Sequence, residues 1–255
     1  MTGIHSDTTK SRVCIFIGLA GSGKSTLLDC TSTHARSTGE LPYIMNLDPA
    51  ATKLAYQTNI DIRDTINYKA VMKEYNLGPN GAILTASNLF ATRFDKALSI
   101  LEARSKDHGW FFVDTPGQIE IFTWSASGMM FTEMFASSFD TVLIYVIDTP
   151  RCANPQVLIG NMLQAISVLY RTQLRLIVVF NKIDVAPHEP LLNMLSNFNS
   201  FQQELESQQS SFSTTLTQSL NVVLNEFYEH LDFVGVSAIN GMGMSNLWEI
   251  LAEIK

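Results

Sequence analysis

The stretch VCIFIGLAGSGKST, Val13 to Thr26, constrains this chain more than any other. An apolar, β-rich run from Val13 to Ile17 ends at Gly18, and Gly23, Lys24 and Ser25 follow after four residues. That order is a strand, a G-x-x-x-x-G-K-S loop and the start of a helix, the signature of a P-loop. Its glycines let the backbone curl so that N–H groups along Gly21, Ser22, Gly23, Lys24, Ser25 and Thr26 converge on phosphate oxygens. Lys24 then reaches the β- and γ-phosphates, and the Ser25 hydroxyl binds Mg²⁺. The positive end of the new helix adds to both. A strand that feeds a helix through such a loop places ligands off the carboxyl ends of the strands in an α/β fold.

The other polar motifs recur at that same place. A second strand, Tyr43 to Leu47, delivers Asp48 before Pro49. Asp48 therefore faces the P-loop crevice, where it can contact a metal through water; it can also be a local cap before a turn. A third strand, Trp110 to Val113, ends in Asp114-Thr115-Pro116-Gly117-Gln118. Asp114 is expected to hold Mg²⁺ through a water. The Gly117 N–H is expected to meet the γ-phosphate, so that this loop senses whether the phosphate is present. Strand four, Thr141 to Ile147, ends at Asp148. Strand five, Leu174 to Phe180, ends in Asn181-Lys182-Ile183-Asp184. The Asp184 carboxylate can accept from guanine N1–H and the 2-amino group, whereas adenine offers neither donor there. The base is thus read as a difference of affinities. Asn181 can bond to N7 and to the P-loop, and the Lys182 stem can cover the base. After strand six, Phe233 to Val236, a backbone N–H of Ser237 or Ala238 can meet guanine O6. Alternating strands and helices predict a three-layer α/β fold, a mostly parallel central sheet with helices on both faces.

With 255 residues, 46% of them hydrophobic, the chain can fill a full core. It reads as one domain over 12–255, with a disordered start over 1–11 and two helical insertions, about 54–108 and about 187–231. In the first, Asp61 to Asp64 opens a helix, another runs from Thr65 to Tyr75, and Gly78-Pro79-Asn80 forms a rigid tip. One long helix from Ala82 to Ala103 follows. The second insertion holds an amphipathic helix around Leu191 to Phe201, a mobile Ser/Gln-rich loop over Ser207 to Thr215, and a helix from Leu216 to Leu231. The Met- and Phe-rich segment Ile119 to Ser138 reads equally as a core helix or as a switch and subunit interface. A net charge of −7 gives no basic field for nucleic acid, so no direct nucleic-acid partner is expected. No run of about 18 apolar residues predicts a membrane span. Cys14, Cys30 and Cys152 form no metal-spaced pair and read as buried free thiols of a reducing compartment.

GLAGSGKST (18–26), NLDPA (46–50), GPNGA (78–82), DTPGQIE (114–120), NKID (181–184) and VSAINGMG (236–243), in that order, resemble the GPN-loop GTPases. YIMNLDPA, NIDIRDTI, YNLGPNGAILT and WSASGMM look most like the first eukaryotic paralogue of that family. The resemblance implies a dimeric GTPase of the SIMIBI branch, a homodimer or a heterodimer with a paralogue, that uses GTP/GDP and Mg²⁺. It implies that Asn80 projects toward the partner's active site and contacts phosphate there, and that Asp48 and Gln118 act in catalysis with Glu120 nearby. It further implies a cytoplasmic protein that shuttles to the nucleus and serves assembly and import of RNA polymerase II subunits. Chains of that first paralogue usually continue into a charged C-terminal tail, whereas this sequence ends at Lys255. The mechanism expected is in-line attack of water on the γ-phosphate. Lys24, the P-loop amides and Mg²⁺ would spread charge, and Gln118 and Asp48 would orient the water. Arg63 is a candidate arginine finger whose ordinary reading is a surface ion pair. A nucleotide-gated peptide-binding module, and more remotely a partitioning-type ATPase, remain as alternatives. NKID argues against the latter.

Overall fold

The computed structural model describes residues 11–196 and 231–253. Seven strands form one sheet: β1 (Arg12–Ile17), β2 (Tyr43–Asn46), β3 (Ile60–Asp61), β4 (Trp110–Asp114), β5 (Asp140–Asp148), β6 (Arg175–Asn181) and β7 (Asp232–Val236). Their order is β3-β2-β4-β1-β5-β6-β7, and every pairing is parallel. The expected mostly parallel sheet is thus wholly parallel. Its extra edge strand, β3, is two residues long and too short for any alternation to reveal.

The central strands are buried on both faces, which is why they read as continuous apolar runs. Along β1, Val13, Ile15 and Ile17 enter one core, while Cys14 and Phe16 enter the other. Along β5, Leu143, Tyr145 and Ile147 join the first core, and Val142, Ile144 and Val146 the second. On the second face lie α1 (Lys24–Ser37) and α10 (Met244–Ala252), which contribute Leu27, Leu28, Leu247 and Leu251. The remaining helices cover the first face: α2 (Ile62–Thr65), α3 (Tyr68–Glu74), α4 (Pro79–Ala91), α5 (Phe94–Arg104), α6 (Ile119–Trp124), α7 (Ala126–Ser138), α8 (Pro155–Thr172) and α9 (Glu189–Ser196). The result is the three-layer architecture that the motif order implied.

Three expectations need correction. The long helix from Ala82 to Ala103 is two helices, α4 and α5, separated by Thr92 and Arg93. Thr92 Oγ1 donates to the Leu89 carbonyl and the Arg93 N–H to the Phe90 carbonyl, which closes α4. The apolar stripe stays in phase across the break. Phe90 and Phe94 both pack on Phe131, so periodicity could not show the interruption. Gly78-Pro79-Asn80 is not a turn between helices so much as the start of α4, with Gly78 as N-cap and Pro79 in the first turn, where its missing N–H is harmless. Ser11 is not part of a disordered start: it is buried and its hydroxyl donates to the Ser105 carbonyl at 3.1 Å.

The segment 119–138 is core on one side, with Phe131 and Phe135 buried, while Trp124 and Met130 stay exposed on the other. Cys14 and Cys152 are buried free thiols as expected; Cys30 is only half-buried. The expected disordered start over 1–10, loop over Ser207 to Thr215 and helix from Leu216 fall outside the described residues, except Leu231, which is buried in the first core. Among the described residues no helix is long and apolar enough to cross a membrane.

Candidate functional site

Sheet register gathers the motifs at one edge. Phe16 pairs with Asp114, Asn46 with Asp114, Asp148 with Asn181, and Asn181 with Val236. Every strand of this set therefore releases its polar residue at the same height, around the loop that follows β1.

That loop needs its glycines. Gly23 caps α1 at φ 92°, a left-handed conformation in which a Cβ would also run into Asn181 Nδ2. At Gly18, φ 144°, a Cβ would strike the Val146 carbonyl. Lys24 is buried at 6% exposure, and its ammonium donates to the carbonyls of Gly18 at 3.0 Å and Leu19 at 3.2 Å. Burial pushes the Lys24 amine down, and the Asp114 and Asp48 carboxylates pull it back up.

On the β4 side, Asp114 is 1% exposed. Its Oδ2 accepts hydrogen bonds from Ser25 Oγ and from the Tyr56 hydroxyl, each at 2.6 Å. Its Oδ1 is buried with no partner among the described residues. Burial pushes its carboxyl up, and the two hydroxyls, Lys24 and the Thr115 amide oppose this. Asp48 Oδ1 accepts the Ala50 N–H at 2.9 Å, so the cap reading of Asp48 is real. Asp48 nonetheless shares the crevice, raised by burial and by Asp114 and lowered by that amide and by Lys24. Behind it, Asn46 Nδ2 donates to Asp61 Oδ1 at 3.1 Å and to the Asp48 carbonyl.

Arg63 is committed elsewhere. It grips both oxygens of Asp61 at 2.7 and 2.9 Å and donates to the Ala51 carbonyl. The ion-pair reading of Arg63 replaces the finger reading.

The loop after β4 lies over the P-loop. Thr115 Oγ1 donates to the Phe16 carbonyl at 2.7 Å, and the Gly117 Cα faces Ala20, where a Cβ would come within 3.4 Å. Gln118 Nε2 donates to Asn80 Oδ1, so the tip of α4 sits on the residue that follows Gly117 in the same chain. Glu120 is exposed in the first turn of α6, with no side-chain hydrogen bond among the described residues.

On the β6 side, Asn181 is a brace. Its Nδ2 donates to the Ser22 carbonyl at 2.9 Å, and its Oδ1 accepts the N–H groups of Lys182 and Ala238 at 2.8 and 3.1 Å. Lys182 Nζ donates to the Gly21 carbonyl and to Asp148 Oδ2, at 2.8 and 2.7 Å. Asp184 is exposed, with no partner for its carboxylate among the described residues. The Ser237 N–H donates to the Met242 carbonyl. With Ala238 on Asn181, neither amide expected to meet guanine O6 is free in this conformation.

Four contributors escaped the sequence reading. Asn46 and Asp61 stand inside NLDPA and NIDIRD, which could have flagged them. Asp148 ends a strand as Asp114 does, and it also takes Arg151 Nε at 3.4 Å. Tyr56 lies in a loop with no motif around it and gave no signal. Burial and the carboxylates around it push its phenol far above the ordinary range, so it stays a donor.

The oxygen set of Ser25, Asp114 and Asp48 fits a small hard cation. A buried carboxylate oxygen without a donor calls for positive charge or a water bound to it. Among the described residues no three His, Cys, Asp or Glu could hold a metal alone. A cation shared with phosphates requires only one or two carboxylates.

A family model described as a conserved hypothetical ATP binding protein matches residues 16–255. The chain is 52% identical over 235 residues to GPN-loop GTPase 1 of Dictyostelium discoideum, covering 92% of this chain and 59% of that protein. It is 47% identical over 250 residues to GPN-loop GTPase 1 of Schizosaccharomyces pombe, covering 94% and 68%. A crystal structure of a GTPase from Pyrococcus abyssi in its apo form has the same fold, with TM-score 0.84 and 22% identity over 96% of this chain and 98% of that one. The order of motifs, the P-loop geometry they fold into and these likenesses agree: the chain belongs to the GPN-loop GTPase family, and within it is similar to the proteins named GPN-loop GTPase 1.

Proposed function

We propose that this chain binds GTP with Mg²⁺ and hydrolyses it to GDP and phosphate, as a dimeric switch serving assembly and nuclear import of RNA polymerase II. The observation that carries the nucleotide reading is the brace of Asn181 on the Ser22 carbonyl. It fixes Asp184, three residues on, relative to the phosphate loop, so base and phosphate are read by one rigid unit. The matched family model is described as ATP binding. An exposed Asp184 at the end of NKID favours guanine instead, because only guanine presents two donors to one carboxylate.

Phosphoryl transfer to water asks mainly for positioning and charge stabilisation. The Lys24 ammonium and the P-loop amides hold the phosphates and offset charge as the γ-phosphate leaves. Gln118 and Asp48 accept from and orient the attacking water, and the Gly117 amide reports the γ-phosphate to α6. Ser25, Asp114 and Asp48 are the residues that would hold Mg²⁺, which would supply further neutralisation of the phosphate charge. In the dimer, with an identical or a paralogous partner, Asn80 leaves Gln118 and reaches phosphate across the interface. The exposed Trp124 and Met130, on the helices that follow the γ-phosphate loop, suit an adaptable contact surface. The place of action is the cytoplasm, with shuttling to the nucleus. The chain spans 59% of the Dictyostelium relative, so client contacts are assigned to the whole protein and not to this part alone.

Solution mass with GDP and with a non-hydrolysable GTP analogue, alongside GTP turnover at several protein concentrations, tests this. A dimer whose turnover per subunit rises with concentration supports a site completed across an interface. A monomer with flat turnover refutes action in trans on an identical copy. Turnover that appears only on adding a paralogue assigns the heterodimer.

A further inference from the structure

Asp114 is the buried carboxylate at the centre of the site, and its two oxygens are treated differently. Oδ2 carries two hydroxyl donors, Ser25 Oγ and Tyr56 Oη, both at 2.6 Å, and Oδ1 carries none. Tyr56 is 7% exposed and comes from the loop between β2 and β3, the loop that Asp48 opens. Its ring packs in the second core, against the sheet face opposite α4 and α5.

The asymmetry has a chemical consequence. Two converging donors on Oδ2 fix the rotation of the carboxylate and leave Oδ1 as the acceptor for a water hydrogen. Ser25, with its hydrogen turned to Asp114, keeps its lone pairs for a cation. Removing the Tyr56 hydroxyl would leave Ser25 as the sole hydroxyl donor on a 1%-exposed carboxylate, steadied otherwise only by the adjoining Thr115 amide. The same hydroxyl ties the Asp48 loop to β4 across 58 residues of sequence.

We propose that Tyr56 is a positioning residue of the metal side: by holding Asp114 Oδ2 it aims Oδ1 at a metal-bound water and sets how firmly Mg²⁺ locks the nucleotide in place. The proposal rests on the reading above that Mg²⁺ and a guanine nucleotide occupy this site.

The test uses the full chain loaded with a fluorescent GDP analogue, whose release is followed after a chase with GDP, from EDTA through rising Mg²⁺. Tyr56→Phe removes only the hydroxyl. The expected result is an Mg²⁺ midpoint raised about tenfold, the scale of one hydrogen bond to a charged group, with release in EDTA changed less than about twofold. An unchanged midpoint overturns the proposal. So does faster release by the same factor with and without Mg²⁺, which is what mere loosening of the loop would give.

Mn²⁺ affinity of the GDP-loaded chain, read by electron paramagnetic resonance, should fall by the same factor. If Tyr56→Phe does not fold, difluorotyrosine at position 56 keeps ring and oxygen while changing donor strength; a midpoint that ignores it overturns the proposal. The underlying reading fails separately. If the unsubstituted chain does not retain the analogue, or retains it equally in EDTA and Mg²⁺, the nucleotide–Mg²⁺ assignment falls and this proposal with it.

Discussion

Replacing Asn181 by Ala separates the structural from the recognition part of NKID. The side chain is 1% exposed and serves three backbone groups: the Ser22 carbonyl, the Lys182 N–H and the Ala238 N–H. Water can take over the part-buried Lys182 N–H. The other two groups are enclosed, and each buried polar group left without a partner costs about 1–3 kcal/mol. The substitution should therefore destabilise the nucleotide-free chain by about 4 kcal/mol. At 2–4 °C per kcal/mol for a domain of this size, the melting temperature should drop by about 12 °C.

GDP affinity should fall as well, because the Ser22 carbonyl and the Ala238 amide belong to the two loops proposed above to hold phosphate and base. Asp184→Asn is the control: an exposed carboxylate with no partner among the described residues should change stability by less than about 0.5 kcal/mol. Thermal and urea denaturation of both variants decides the matter. A loss below about 1 kcal/mol for Asn181→Ala would refute the brace, and an equal loss for Asp184→Asn would refute the division of labour.

Asp184→Asn should instead move preference from GTP to xanthine nucleotide by at least about 100-fold in competition binding; an unchanged preference for GTP would sink the base reading. Burial raises the carboxyls of Asp114 and Asp48 above their unfolded values. The folded, nucleotide-free chain therefore binds protons more tightly than the unfolded one and loses stability as pH rises through the raised values. Asp114→Asn should flatten the fall in melting temperature as pH rises above the ordinary carboxylate range, while ending Mg²⁺-dependent retention of GDP. A steeper pH profile in the variant would contradict this. Asn80→Ala should slow GTP turnover at dimer-forming concentrations by about 100-fold, the scale of one lost phosphate-side donor, with GDP affinity unchanged. Loss of GDP binding would make the α4 tip a structural element only.

The sequence by itself determined the chemistry-bearing strand ends. Val13 to Thr26, Asp114 to Gln118 and Asn181 to Asp184 are local motifs whose residue types and spacing carry their meaning. Runs buried on both faces mark the parallel strands that deliver them. It could not see what is joined only through space. The break at Thr92 and Arg93 is invisible because Phe90 and Phe94 keep helical phase across it. β3 is too short to show a period.

Arg63 looked available until Asp61 and the Ala51 carbonyl were found to hold it. Ser237 and Ala238 were expected to offer amides, yet pairing with Met242 and Asn181 is settled by how the loop after β7 folds against β6. Tyr56 meets Asp114 across 58 residues, and nothing in either one's neighbours in sequence announces the contact. A motif is local and survives being read one residue at a time. A hydrogen bond between distant loops exists only once the sheet has set the register of its strands, so the partners of the site's charged groups were decided by the tertiary structure.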